Sequence, residues 1–165
     1  YSNNNIQRFK LNNASEFSSA NIDTSKYYCI VSSLDAKKAI DVYAGKTADF
    51  TNVDLYDLNK TDAQIFKFEK NSDGTYSIIN KNSKKALDVY ANNTADKTNV
   101  DIYTSNKSTA QKWYAIKNAD NTITVLGVES GKALDLYAAK TTNFTNIDIW
   151  DWNKTNAQKW NLLKQ

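Results

Sequence analysis

Histidine, proline and methionine are absent from the 165 residues, and cysteine occurs once, as Cys29. Without imidazole there is no histidine general base, no serine or cysteine triad that relies on one, and no cysteine/histidine zinc site. A single thiol cannot build a disulfide framework within the chain, and Cys29 reads as a small core residue. No apolar run approaches the roughly 20 residues of a spanning helix, so membrane insertion is not expected. Glutamate is scarce as well: Glu16, Glu69 and Glu129 are the only three among 18 acidic residues, and the other fifteen are aspartates. Bases and acids nearly balance, 21 against 18 for a net charge of +3, and the signs are interspersed, as where Lys107, Lys112 and Lys117 stand among Asp101 and Asp120. Nothing resembles a stripe for a phosphate backbone, which argues against a nucleic-acid partner.

What is abundant is turn-forming and rigid. Asparagine occurs 22 times and aromatic residues make up 12%, a composition of short hydrogen-bonding side chains and flat apolar ones. The length fits one domain, or one domain with a short appendage. An opening Tyr1 without methionine reads as a segment of a longer or processed protein, so targeting signals are not legible in it.

A period of 47 residues organises the chain. Ala39-Ile40-Asp41-Val42-Tyr43 returns as Ala86-Leu87-Asp88-Val89-Tyr90 and as Ala133-Leu134-Asp135-Leu136-Tyr137. Thr51-Asn52-Val53-Asp54-Leu55-Tyr56 recurs as Thr98-Asn99-Val100-Asp101-Ile102-Tyr103 and Thr145-Asn146-Ile147-Asp148-Ile149-Trp150 at the same step. Gln64-Ile65-Phe66 likewise recurs as Gln111-Lys112-Trp113 and Gln158-Lys159-Trp160. Three copies therefore span 27–73, 74–120 and 121–165, while residues 1–26 stand outside the period. In that extension Ile6 to Leu11 resembles the last strand of a copy, as the tail of a preceding module would; the competing reading is a linker.

Within 39–43 and 52–56 apolar residues alternate at period 2, the pattern of a half-buried strand. Cys29-Ile30-Val31 and its counterparts are β-branched and aromatic, and Gln64 to Phe68 alternates again. Turn formers such as Asn71-Ser72-Asp73-Gly74 separate these segments. Four strands per copy give twelve in an all-β domain. The alternation excludes the helical solenoids of similar period, and propellers typically need four to eight blades, so three copies imply a closed threefold structure.

Because i and i+2 share a face of a strand, Ile40, Val42, Val53 and Leu55 point into a core while Asp41, Tyr43, Asp54 and Tyr56 point outward. Pairing of the two strands gathers carboxylates and rings on one exposed patch, repeated around Asp88, Tyr90, Asp101 and Tyr103 and around Asp135, Tyr137, Asp148 and Trp150. Such a patch suits a sugar: one face of a pyranose presents C–H groups to a ring, and its hydroxyls need ionised acceptors. A glycosidase needs two carboxyls in different environments. Three equal copies of one pair offer no such differentiation, so no catalytic residue is assigned. The aspartate spacing is not that of a calcium loop, and no metal or cofactor is expected.

The Leu-Asp-Val-Tyr strand, the apolar-Asp-apolar-aromatic strand and Gln-x-Trp, three times over, resemble the ricin B-type β-trefoil lectins, also called carbohydrate-binding module family 13. The resemblance covers about 27–165. It implies a β-trefoil with pseudo-threefold symmetry, a six-stranded barrel capped by three hairpins, and one sugar site per 47-residue repeat. By that resemblance Asp41, Asp88 and Asp135 bind sugar hydroxyls, Tyr56, Tyr103 and Trp150 stack beneath the sugar, and Asp54, Asp101 and Asp148 take a supporting place usually held by glutamine. Gln64, Phe66, Gln111, Trp113, Gln158 and Trp160 become structural amides and buried rings. An asparagine of the family's site is replaced by Ala63, Ala110 and Ala157, and Asn59, Asn106 and Asn153 are its nearest substitutes. Disulfides found in plant members are missing, and the first Gln-x-Trp ends in Phe66.

The expectation is a non-catalytic, extracellular carbohydrate-binding module of a larger protein, taking galactose-type or xylose-type glycans, with a protein-binding trefoil as the alternative. Repeat 3 ranks first for Trp150, then repeat 1. Repeat 2 ranks last, because Lys97 stands where the others carry Phe50 and Phe144.

Overall fold

Each copy folds as four antiparallel strands, because its alternating β-branched and aromatic residues are interrupted by turns built on asparagine, aspartate and glycine. The structure, a computed structural model, describes residues 18–165. Copy one holds β2 (Tyr27–Ser32), β3 (Lys38–Val42), β4 (Thr51–Asp57) and β5 (Ile65–Lys70), preceded by a short β1 (Ser18–Ser19). Copy two holds β6 (Tyr76–Asn80), β7 (Ala86–Val89), β8 (Thr98–Tyr103) and β9 (Trp113–Lys117). Copy three holds β10 (Ile123–Gly127), β11 (Ala133–Leu136), β12 (Thr145–Trp150) and β13 (Trp160–Lys164).

The first and last strands of each copy pair in the cycle β2–β5–β6–β9–β10–β13 and back to β2, closing a six-stranded barrel. Closure removes the exposed edges on which open sheets associate. The inner strands form three hairpins, β3/β4, β7/β8 and β11/β12. Their second strands pair with one another, β4 with β8, β8 with β12 and β12 with β4, in a triangle around the threefold axis. There the side chains of Asn52, Asn146 and Asn99 join head to tail: Asn52 Nδ2 donates to Asn146 Oδ1 at 2.9 Å, Asn146 Nδ2 to Asn99 Oδ1 at 2.8 Å, and Asn99 Nδ2 to Asn52 Oδ1 at 2.9 Å.

Ile40, Val42, Val53 and Leu55 enter one core with their counterparts, as the alternation implies. Phe66, Trp113 and Trp160 are fully buried. Each indole also finds a hydrogen bond, Trp113 Nε1 donating to the Leu87 carbonyl and Trp160 Nε1 to that of Leu134, both at 3.2 Å. Phe66 has no such donor. Cys29 is buried and unpaired, so cohesion rests on packing and on the closed ladder.

Part of the extension joins the fold. Strand β1 pairs with β9, and Ala20 and Ile22 are buried in the main core. The Tyr76 hydroxyl donates to the Ala20 carbonyl at 3.3 Å and accepts from the Ile22 N–H at 3.4 Å. The segment from Ile6 to Leu11, read above as the tail of another module, lies outside the described residues.

Replacing Trp160 by Phe removes ring volume and the bond to Leu134. The expected cost is about 1–3 kcal/mol, checked by the shift in urea midpoint. An unchanged midpoint would mean that the indole N–H contributes nothing to stability.

Candidate functional site

The hairpin register sets Asp41 directly opposite Asp54, Asp88 opposite Asp101, and Asp135 opposite Asp148. These six residues leave their strands on the side away from the core, as alternation requires. They are not the exposed patch that the sequence implies, however: Asp41, Asp88 and Asp135 are 7–8% exposed, and Asp54, Asp101 and Asp148 only 1–2%. The reason is local. Two one-turn 3-10 segments per copy, Tyr43–Gly45 and Asp62–Gln64 in the first, fold over the hairpin and roof the carboxyls.

Three open recesses result. Asp41, Tyr43, Tyr56 and Asn59 line the first, of about 620 Å³; Asp88, Tyr90, Tyr103 and Asn106 the second, of about 400 Å³; Asp135, Tyr137, Trp150 and Asn153 the third, of about 310 Å³. Asp54, Asp101 and Asp148 do not line them and stand behind the first carboxyl. The methyl groups of Ala63, Ala110 and Ala157 also face the recesses.

Each recess is completed by the preceding repeat around the axis. The N–H of Phe50 donates to the Ile102 carbonyl at 2.9 Å, that of Lys97 to Ile149 at 2.9 Å, and that of Phe144 to Leu55 at 2.7 Å. All three residues adopt left-handed backbone, with φ of 64°, 67° and 66°, a conformation that costs a non-glycine residue about 1 kcal/mol. The crossing bonds hold it and carry the side chain over the neighbour's ring. Phe144 thus sits 5.2 Å from Tyr56 and 6.0 Å from Tyr43, centroid to centroid. Phe50 lies 5.0 Å from Tyr103 and 6.0 Å from Tyr90. Lys97 places its ammonium 5.6 Å from the Trp150 ring. This corrects the ranking drawn from sequence: Lys97 belongs to recess 3 and not to recess 2, which receives the Phe50 ring. Equivalence at period 47 says that residues 50, 97 and 144 match, but not which copy each one serves.

Lysines tie the same boundaries, by an ion pair at two of them and through the Asn143 side chain at the third. Lys38 contacts Asp57 and Asn143, both at 2.6 Å; Lys85 contacts Asp49 at 2.5 Å; Lys132 contacts Asp96 at 2.6 Å and also pairs with Asp151.

The glutamines of the Gln-x-aromatic motif act on the site as well as on the turn. Gln64 Oε1 accepts from the backbone N–H groups of Asn59 and Lys60 at 2.9 and 3.2 Å, and its Nε2 donates to the Asp57 carbonyl at 2.9 Å. The same carboxamides favour the ionised forms of Asp41, Asp88 and Asp135. Asn59, Asn106 and Asn153 use their Oδ1 to accept the N–H two residues on, at 2.9, 2.9 and 3.0 Å. Their amide nitrogens have no partner among the described residues and sit at the recess wall. Tyr43, Tyr90 and Tyr137, which alternation turns outward but which carried no assigned role, are 41–48% exposed at the rim.

Burial shapes the electrostatics. Desolvation, and then the charge of the facing Asp41, pushes Asp54 up to about 7. Asp101 rises to about 7 by burial and the charges of Asp88 and Asp49. Asp148 rises equally, by burial and the charges of Asp135 and Asp96, with Lys97 opposing. Burial raises Asp41 and Asp88 and takes Asp135 to about 6, each moderated by its glutamine. One oxygen of Asp54, Asp101 and Asp148 has no partner. Each pair is therefore suited to sharing one proton near neutrality, and its outer member remains an acceptor toward the recess. No cluster of potential metal ligands occurs among the described residues.

A closed barrel under three hairpins, with one recess per repeat, defines a β-trefoil of lectin type. The chain belongs to the family described as ricin-type beta-trefoil lectin domain-like, whose model matches residues 5–103, 62–150 and 109–165. No curated protein matches it by sequence. Among solved structures it is similar to ThreeFoil, a designed 3-fold symmetric protein, with 31% identity, a TM-score of 0.82, and coverage of 84% of this chain and 99% of that one. The ricin B-like lectin of Macrolepiota procera, solved in complex with lactose, shares 16% identity at a TM-score of 0.75, over 88% of this chain and 100% of the lectin. An exo-beta-1,3-galactanase from Clostridium thermocellum matches at 23% identity and a TM-score of 0.82, over 88% of this chain but 31% of the enzyme. These last two likenesses are of fold.

Because Asp54, Asp101 and Asp148 hold protons more tightly in the fold than at their unfolded value near 4, the folded state binds more protons between about pH 4 and 7. Their contribution to stability is present below pH 4 and is lost as pH rises through 7. Below pH 4 the trend is opposed by Asp73 and Asp120, both held at about 2, where Thr75 and Lys112, or Thr122 and Lys159, hydrogen-bond the carboxylate. The triple variant Asp54→Asn/Asp101→Asn/Asp148→Asn is expected to melt higher than the parent at pH 8, by on the order of 1 kcal/mol per site, and to lose most of the slope between pH 5 and 8. Equal slopes in thermal melts would show that these carboxyls titrate normally.

Proposed function

We propose that the chain is a non-catalytic carbohydrate-binding module with up to three sugar sites. In this reading Asp41, Asp88 and Asp135 accept hydrogen bonds from sugar hydroxyls, and Tyr56, Tyr103 and Trp150 receive the apolar face of the ring. The free amide nitrogens of Asn59, Asn106 and Asn153 donate to a hydroxyl, and Asp54, Asp101 and Asp148 support from behind. The observation that carries the proposal is the threefold recurrence of a deep carboxyl beside a half-buried ring in an open recess. Such a recess offers a strong acceptor and a flat apolar surface within the span of one pyranose.

Galactose-type sugars are the first to test, since lactose occupies the Macrolepiota lectin, with xylose-type sugars second. Shallow recesses bury little ligand surface, so single-site dissociation constants on the order of 0.1 to several mM are expected. Engagement of two or three sites on a dense glycan raises avidity by about 10²-fold or more. That arithmetic favours a targeting or adhesion role in a larger extracellular protein. The galactanase, of which this fold spans about a third, supports such an arrangement.

Titration of a neutral sugar panel by NMR is expected to move the Trp150 indole signal saturably. Asp135→Asn removes the charged acceptor and should weaken recess 3 by about 10- to 100-fold while leaving recesses 1 and 2 intact and without lowering the melting temperature. Unfolding of that variant would assign Asp135 to the scaffold. Silence of the parent on every glycan of an array would favour the protein-binding trefoil.

A further inference from the structure

The threefold repeat supplies its own control, because the three recesses share one backbone and differ at a few side chains. The difference with chemical consequence is at the position donated by the neighbouring repeat: phenylalanine in recesses 1 and 2, Lys97 in recess 3. Phe144 lies tilted against Tyr56 at 5.2 Å and Phe50 edge-on to Tyr103 at 5.0 Å, and they are 62% and 61% exposed, so each extends the apolar wall. Lys97 occupies the same place with an ammonium 5.6 Å from the Trp150 ring. It too is exposed, and among the described residues no carboxylate lies within ion-pair distance of it. Asp96, beside it in sequence, is already taken by Lys132 and by the Asp151 N–H at 2.9 Å.

Recess 3 therefore has two unlike ends. Asp135, Trp150 and Lys97 line one recess; the buried Asp135 supplies an acceptor, and the exposed Lys97 holds its ammonium at the indole. We propose that recess 3 selects a pyranose carrying one anionic substituent, a carboxylate or a sulfate, while recesses 1 and 2 take neutral sugars. Resting on the lectin reading above, this assigns Lys97 as the specificity-determining residue. The anionic group turns to the ammonium at the rim, and the hydroxyls on the opposite side of the ring reach Asp135, so the charge also fixes the orientation of the sugar. Asp135 disfavours the reversed pose by like-charge repulsion. In recess 2 an anion meets the Phe50 ring and loses hydration without gaining a partner; in recess 1 the rim ammonium, that of Lys46, lies 5.3 Å from the Tyr43 ring and not over the stacking ring Tyr56.

The test uses matched neutral and uronate monosaccharides of gluco, galacto and manno configuration, with the 6-sulfates as a further arm to separate carboxylate from sulfate recognition. Binding is followed by NMR on the intact chain, with the Gly45 amide reporting recess 1, the Ala91 amide recess 2 and the Trp150 indole recess 3. At low salt the anionic member of at least one pair is expected to bind recess 3 roughly 2- to 5-fold more tightly than its neutral partner, the range of an exposed ion pair. That preference should shrink toward none in 0.5 M NaCl and be absent at recesses 1 and 2. Lys97→Phe should abolish it, and Phe50→Lys should install it at recess 2. Equal or weaker binding of every anionic sugar at recess 3, or a preference that survives Lys97→Phe, overturns the assignment while the lectin reading stands. If no sugar of either kind moves any of the three reporters, the lectin reading fails and this inference fails with it.

Discussion

The backbone hydrogen bonds that cross from one repeat to the next are the constraint on which the rest of the molecule depends. Phe50, Lys97 and Phe144 each give an N–H to a carbonyl of the following repeat's hairpin, at a backbone conformation that L-residues rarely adopt. These bonds sit where β4, β8 and β12 meet, so one geometry closes the cap and finishes the binding recesses. No single repeat holds a complete recess, because one wall always comes from another copy. Lysine contacts cross the same boundaries, Lys85 to Asp49, Lys132 to Asp96 and Lys38 to the Asn143 amide.

A second feature follows from depth. An exposed pair of facing carboxylates on adjacent strands would be a weak, fully ionised patch. Roofed by the 3-10 segments, the same pair shares charge unevenly: the inner acid holds its proton to about pH 7 and the outer one faces the recess. The glutamine that pins the loop before it also favours the ionised form of the outer acid, so the loop that makes the wall and the charge of the acceptor on the floor depend on one amide. A residue read as structural is thereby also a positioning residue for the site.

Much of this was legible in the sequence, for identifiable reasons. Period 47 with alternation at two fixes strand number, hairpin pairing and which side of each strand faces the core, and Asp41, Tyr56 and their counterparts do meet in a recess. Depth was not legible, since alternation tells inside from outside but not what later folds across the outside; Asp54, Asp101 and Asp148 were placed on the surface for that reason. Nor was the partner of Lys97, because a repeat predicts equivalence within copies and is silent on exchange between them. Segment 18–26 has no periodic counterpart, and its burial through Ala20 and Ile22 depends on Tyr76 in a distant strand.

The cycle of Asn52, Asn146 and Asn99 has a consequence of its own. Each amide gives one bond and takes one, all running in the same sense, so the ring has a direction of circulation as well as a centre. Turning over any one amide sets nitrogen against nitrogen on one side and oxygen against oxygen on the other; the three must therefore turn together or not at all. The axis of the molecule is locked collectively, by a device that exists only where three copies meet.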